Sequence, residues 1–155
     1  MSETFDGRCA CGEVRYRLGS RPMFVNCCHC LDCQRQTGSA FVINAIIEAD
    51  RIEMLSGAPV AVRVPTDSGD RHDIYRCPKC QTAVWSDYDG RPFRFVRVGT
   101  LETPSAIAPD AHIFTRSKQP WVGLPGNVPA FAVYYDTKTL WSAEAQARRK
   151  AALAG

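Results

Sequence analysis

The run Cys27-Cys28-His29-Cys30-Leu31-Asp32-Cys33 packs four of the chain's eight cysteines and one of its three histidines into one short stretch. Two smaller runs belong with it, Cys9-Ala10-Cys11-Gly12 and Cys77-Pro78-Lys79-Cys80. Thiolate is a soft, anionic ligand, and Zn²⁺ takes four such donors in a tetrahedron. Cys9 and Cys11 stand too close along the chain to pair comfortably as a disulfide, and so do Cys28 and Cys30. Scattered core cysteines would not bunch three times. Clustered thiols at these spacings fit metal ions in a reducing compartment. Eight of them fill one four-ligand site and leave three or four for a second.

The pair Cys77-x-x-Cys80 has the spacing of a zinc knuckle, and Cys9-x-Cys11 is its simplest partner. A metal there ties the start of the chain to its middle and contributes to folding. Cys28, Cys30 and Cys33 remain, with Cys27 and His29 as extras. In an extended stretch Cys28 and Cys30 point one way while Cys27 and His29 point the other. A turn at Leu31-Asp32 lets Cys33 join the first pair. Three protein ligands and a free fourth position are the form of a catalytic zinc. The alternative is closure by Cys27, His29 or a distant histidine. Three thiolates leave such a zinc at net −1. It is then a poor Lewis acid for water but suited to holding a substrate thiol as thiolate. The chemistry this suggests is making or breaking a carbon–sulfur bond at a zinc-held sulfur.

The rest of the chain reads as short strands. Val14, Tyr16 and Leu18 alternate with charged residues after Gly12, where a tight turn favours positive φ. Leu31 to Gln36 reads as a short helix or turn stopped near Gly38. Strands are expected at Phe41–Ile47, Arg51–Leu55, Val60–Val64 and Thr82–Ser86, with His72–Arg76 leading into the third cysteine pair. Asp87-Tyr88-Asp89-Gly90 is a hairpin-type turn. Arg91–Val98 is a strand whose alternation breaks at Phe95-Val96, which implies a bulge or burial on both faces. Thr103–Pro129, with its prolines, reads as an irregular segment over the core. The tail 142–153 reads as a peripheral helix with Ser142 as N-cap and a Glu144–Arg148 pair.

Composition sets bounds. A 155-residue chain, 45% apolar and 23% charged, reads as one globular domain. The net charge of +3 is too weak to argue for nucleic acid. No apolar signal stretch opens the chain and no run approaches a membrane span, so a cytoplasmic protein is expected.

The stretches Gly7-Arg-Cys-Ala-Cys-Gly12, Cys28-His-Cys-Leu-Asp-Cys33-Gln-Arg-Gln-Thr-Gly-Ser-Ala-Phe41 and Cys77-Pro-Lys-Cys80 together resemble the glutathione-dependent formaldehyde-activating enzyme family. Val98-Gly-Thr-Leu101, Ala111-His-Ile-Phe114 and Ser117-Lys118-Gln-Pro-Trp121 extend the resemblance over residues 7–136. It implies a mainly β, β-tent fold of short antiparallel strands held by two zinc ions, with the whole of residues 1–155 as one zinc-binding domain. Cys9, Cys11, Cys77 and Cys80 match the family's structural zinc, and Cys28, Cys30 and Cys33 its catalytic zinc. The implied reaction is reversible condensation of glutathione, or a related thiol, with formaldehyde to S-(hydroxymethyl)glutathione, a carbon–sulfur lyase activity. Two positions depart from the pattern: Gln81 stands where the knuckle usually continues with Gly, and Cys27 is an added thiol.

Glutathione carries two carboxylates, so cations are sought for it. Arg35 is the first candidate; Lys118 and Arg116, with Trp121 beside them, are the second. His112 reads as a hydrogen-bonded core or loop histidine, and His72 fits no motif. The competing function is a non-catalytic, zinc-stabilised module that binds a protein partner. A nucleic-acid-binding zinc ribbon ranks last, because the basic residues are scattered apart from Arg148-Arg149-Lys150. Oligomeric state is not legible.

Overall fold

The computed structural model of the chain describes residues 3–155. The strands run in the order β1 (Phe5–Arg8), β2 (Arg15–Leu18), β3 (Phe24–Cys28), then helix α1 (Leu31–Thr37), β4 (Val42–Glu48), β5 (Ile52–Ser56) and β6 (Val60–Val64). They continue as β7 (His72–Arg76), β8 (Ala83–Tyr88), β9 (Phe93–Arg97) and β10 (Ala111–Ile113), and the chain ends in α2 (Thr137–Leu140) and α3 (Ala143–Ala154). A small antiparallel sheet has the order β1-β2-β5, and a large one the order β10-β3-β4-β9-β8-β7-β6. Among the described strands only β10 pairs in parallel, with β3. The mainly β architecture with a C-terminal helix is therefore present. Among the described residues no helix is long and apolar enough to cross a membrane.

The large sheet separates two cores, because alternate residues of its central strands leave on opposite faces. Ala45 and Ile47 of β4, Val96 of β9 and Trp85 of β8 meet Tyr16 and Leu18 of the small sheet. The Trp85 and Tyr16 rings meet edge to face, 5.2 Å between centroids. On the other face Val42 and Ile46 of β4, Cys28 of β3 and Phe93 of β9 pack against Cys33 of α1 and against Tyr135, Trp141 and Ala145 near the C-terminus. β9 lies between β4 and β8, and its ladder with β4 runs without a register shift. The broken alternation at Phe95-Val96 is thus burial on both faces rather than a bulge. Val96 belongs to the first core, and Phe95 packs on the second.

Four elements escape the sequence pattern. β1 has only Phe5 and Gly7 turned inward. Gly7 must be glycine, because a Cβ there would sit 2.3 Å from the Tyr16 ring. β3 is buried at every position, so it shows no alternation. β10 and α2 are three and four residues long. The expected strands Arg51–Leu55 and Val60–Val64 form, each within a residue, but they join different sheets.

Ser142 caps α3 by accepting a hydrogen bond from the Ala145 amide at 3.1 Å. The expected Glu144–Arg148 pair is replaced. Arg148 instead reaches across to Glu48 at the end of β4, with two bonds of 2.8 and 2.6 Å. Glu48 is nearly buried and offers the guanidinium both carboxylate oxygens, which an exposed Glu144 one turn away cannot match.

Candidate metal centres and the cleft between them

The first centre forms where the small sheet meets the large one. Cys9 and Cys11 lie in the turn after β1, and Cys77 and Cys80 in the turn between β7 and β8. Their four sulfurs lie within 4.8 Å of one another. The separations Cys9–Cys11 and Cys11–Cys77 are 3.6 and 3.8 Å. A tetrahedron with Zn–S bonds of about 2.3 Å has edges of about 3.8 Å, so the donor set fits zinc. These separations are far beyond a disulfide bond, and all eight cysteines are free. N–H groups point at the sulfurs, from Val14 to Cys9 at 3.3 Å and from Lys79 to Cys77 at 3.4 Å. Hydrogen bonds from the side chain and backbone of Thr82 hold the Cys80 thiol down to about 5. Gly12 has φ +80, and Gln81 adopts φ +63, the left-handed conformation that a glycine would supply.

The second centre lies on the opposite face of the large sheet. Cys28 ends β3, Cys30 precedes α1, and Cys33 lies in its first turn, with the three sulfurs within 4.8 Å of one another. The Cys30 sulfur caps α1 by accepting from the Cys33 amide at 3.3 Å. Gly38, at φ +62, ends the helix where the sequence implied. Cys28 and Cys33 are buried and Cys30 is half-buried, so the group opens on the Cys30 side. Hydrogen bonds from Cys28 and Cys33 push Cys30 down to about 2, while the same contacts drive Cys28 upward. Three thiolates this close repel one another. Three at once call for a cation, and the soft donor set suits Zn²⁺.

No fourth side chain of a metal-binding type joins this group among the described residues. Cys27 and His29 turn to the other side of the strand, as the alternation implied, and meet His112 of β10. There His29 Nε2 and His112 Nδ1 are 3.0 Å apart, a hydrogen-bond distance, and the Cys27 sulfur is 3.6 Å from His29 Nε2. All three residues are buried, and burial pushes both imidazoles toward the neutral form.

The family model described as "Glutathione-dependent formaldehyde-activating enzyme" matches residues 4–117. A curated Halomonas elongata protein whose name places it in the same family is 30% identical over 130 residues, covering 76% of this chain and 78% of its own. The chain belongs to the glutathione-dependent formaldehyde-activating enzyme family. A crystal structure of a Rhodobacter sphaeroides protein is 20% identical with a TM-score of 0.46, over 81% of this chain and 98% of that one.

The cations expected to meet glutathione are distributed differently. Lys118 gives its ammonium to the carbonyls of Gln119 and Val122, at 3.1 and 2.7 Å, and so shapes its own loop. Arg35 is exposed and sits 3.8 Å from Asp32. Arg116 lies over the Phe114 ring. Trp121 is 76% exposed. Its loop is latched to α1 by Gln34, which donates to the carbonyls of His29 and Ser117 and accepts from Gln119 at 2.8 Å.

A cleft of about 420 Å³ runs from the C-terminal end of α1 to the zinc knuckle, and none of Arg35, Lys118 and Trp121 lines it. Its cations are Arg76 and Arg97. Arg97, at the end of β9, is only 8% exposed and has no carboxylate partner. Its Nη1 donates to Asn44 Oδ1 and, at 3.4 Å, to Ser86 Oγ, while its Nε has no partner. Burial lowers its pKa, and charge on Cys33 and Tyr88 opposes that. His72, which fitted no motif, stacks on Tyr88 at 4.1 Å with its Nε2 unpartnered. Burial, helped by Arg97, pushes it down to about 4. No local spacing announces Arg97, His72 or Tyr88 as neighbours of the cysteines. The run Phe93-Arg94-Phe95-Val96-Arg97, with two arginines among apolar residues, does not mark Arg97 out.

Proposed function

We propose that the chain is a zinc-dependent carbon–sulfur lyase that condenses glutathione, or a related thiol, with formaldehyde, reversibly, to the S-hydroxymethyl adduct. Two zinc ions serve it, one structural on Cys9, Cys11, Cys77 and Cys80, and one catalytic on Cys28, Cys30 and Cys33. The observation that carries this reading is the three-sulfur group with no fourth donor beside it among the described residues. When bound there, zinc supplies a position at which a substrate sulfur is held as thiolate near neutral pH. In the reaction the new bond joins sulfur to the formaldehyde carbon and the carbonyl π bond breaks. The thiol proton ends on the new hydroxyl, so no oxidant or reductant is needed.

The protein's part is to position and exclude. The Cys33 amide fixes Cys30, and the Thr37 hydroxyl grips the Cys33 carbonyl at 2.8 Å. Buried Cys28 and Cys33 keep water from two sides of the group. The exposed Trp121 ring and Arg35 offer an outer contact for a tripeptide-sized thiol. Free thiols in both groups suit a reducing, cytoplasmic setting. The test is metal quantitation with a glutathione titration on the wild type and on Cys30→Ser. About two zincs per chain are expected, with one lost in the variant together with glutathione binding. A variant that keeps both metals and still binds glutathione overturns the assignment.

A further inference from the structure

The cleft beside the three-cysteine group has a chemistry of its own. One wall holds Val42, which stands opposite Cys28 in the β3–β4 ladder, and Thr37, which grips Cys33. The far end holds Gln81 and Thr82 of the knuckle. No carboxylate lines it, although two arginines do. Most cations of this protein meet acids: Arg17 with Asp6, Arg63 with Asp73 and Arg148 with Glu48. Arg97 and Arg76 do not. Arg76 donates only to the Gln81 carbonyl, at 3.0 Å, and to Gln36 Oε1, at 3.4 Å. Arg97 is buried with only neutral oxygens bonded to Nη1 and with nothing on Nε. Apart from the field of the Cys33 sulfur, this buried guanidinium has no bonded anion, and a buried charge without a bonded partner is costly. Its planar fork matches a carboxylate.

We propose that this cleft is the carboxylate subsite of the thiol substrate, with Arg97 as the buried anchor and Arg76 as the rim contact. The proposal rests on the thiol-binding reading of Cys28, Cys30 and Cys33, and it commits to a substrate class, thiols that carry a carboxylate. The sulfur goes to the three-cysteine group and the carboxylate turns toward Arg97 along the Val42 wall. Lys118, already bonded to its own loop, takes no part. An uncharged thiol of the same size leaves both arginines without an anion and binds more weakly.

The test uses the zinc-loaded full chain and two probes of nearly equal shape, 3-mercaptopropionate and 3-mercaptopropionamide. Binding is measured by calorimetry and corrected for each thiol's ionised fraction. The wild type is expected to favour the acid by about tenfold or more. Arg76→Met and Arg97→Met are expected to shrink that preference toward unity, read as the ratio of the acid and amide affinities within each variant. The wild-type comparison needs no variant, so a failure of Arg97→Met to fold leaves it standing. Equal affinities for acid and amide in the wild type overturn the subsite alone. A full acid preference retained in Arg76→Met overturns the rim contact, and one retained in folded Arg97→Met overturns the anchor. If neither probe binds, the thiol-binding reading falls first and the subsite falls with it.

Discussion

The two faces of the large sheet follow different rules. On the face that meets the small sheet, apolar side chains interdigitate and four sulfurs lie at metal-cage distances at the seam. On the face that meets α1 the interior is partly polar. Two of the four buried nitrogens without a partner among the described residues, those of His72 and Arg97, lie there. Arg97 feels the charge of Cys33, and His72 stacks on Tyr88. Buried polar groups left unpaired cost stability. These two stand on the side of the incomplete sulfur group, while His29, turned away with Cys27, and Trp85, in the small-sheet core, hold the other two. The lesson is a division of labour within one sheet: one face secures the fold and the other is left under-satisfied for a ligand.

The sharpest way to break that comparison is to remove one sulfur from each face. Cys77→Ser is expected to abolish cooperative folding. A structural zinc contributes about 10–16 kcal/mol of apparent binding free energy, more than a domain's usual net stability. Cys30→Ser is expected to keep its secondary structure and melt within about 5 °C of the wild type, because that sulfur is half-buried at the edge of its group. Circular dichroism and calorimetric melting of the two variants check this. If both unfold, or neither does, the division between the faces is wrong.

A second test addresses how the under-satisfied face is covered. α3 has one buried residue, Ala145, so apolar packing alone holds it weakly. The Arg148–Glu48 pair supplies the missing anchor. Burial tends to raise the Glu48 pKa, but the two bonds from Arg148 outweigh it and hold the carboxyl below its ordinary value. A depressed carboxyl stabilises the fold above the unfolded pKa, and that contribution is lost as pH falls through the folded value. Arg148→Met is expected to cost about 2 kcal/mol at pH 7, less than a fully buried pair because Arg51 remains 3.3 Å from Glu48. The cost should fade below about pH 4. Urea unfolding at a series of pH values measures it, and a pH-independent difference excludes the ion pair as the cause.

His72 offers a third test with the opposite kind of group. Its folded pKa lies near 4, below the ordinary histidine value, so the unfolded chain takes up the proton first. Stability from this group is complete above about pH 6.5 and is lost as pH falls toward 4. His72→Phe keeps the stack on Tyr88 and removes the proton. The variant is expected to lose up to about 2–3 kcal/mol less than the wild type between those pH values. Parallel pH profiles would place His72 outside the polar interior described here.

How much of this was open to the sequence depends on distance along the chain. The cysteine groups are local or pairwise, and the spacings of Cys9-x-Cys11, Cys77-x-x-Cys80 and Cys28-x-Cys30-x-x-Cys33 brought the correct sulfurs together on paper. Alternation likewise sent Cys27 and His29 away from Cys28 and Cys30, because that rule needs only an extended backbone. The cleft was invisible for the opposite reason. Arg97 and Arg76 meet the α1 end only after β9 and β7 have taken their places in a seven-stranded order, and no spacing encodes that order. The partners of Lys118, a candidate for the glutathione carboxylates, were not legible either, because they are carbonyls of its own loop, which composition does not report. β3 went unrecognised because full burial erases the alternation by which a strand is read.

The smallest expected effect concerns the secured face. Gln81 occupies the left-handed region at φ +63, directly after the ligand Cys80, and its amide donates to the Cys77 carbonyl at 3.0 Å to close the knuckle turn. A side chain in that region costs about 1–2 kcal/mol relative to ordinary backbone, and glycine does not incur this. Glycine in turn gives up more chain entropy on folding, about 0.5–1 kcal/mol. The exposed bond from Gln81 Nε2 to the Pro78 carbonyl, at 3.3 Å, adds little. Gln81→Gly is therefore expected to stabilise the protein by about 0.5–1 kcal/mol, raising the melting temperature by a few degrees without changing zinc content. The same substitution leaves the cleft with one polar wall residue fewer, at the end away from Arg97. Thiol affinity should then stay within about twofold of the wild type. A gain in stability with affinity unchanged shows that the knuckle turn can be tuned apart from the ligand face. Lost affinity would mean that the two faces are coupled through the cleft that joins them.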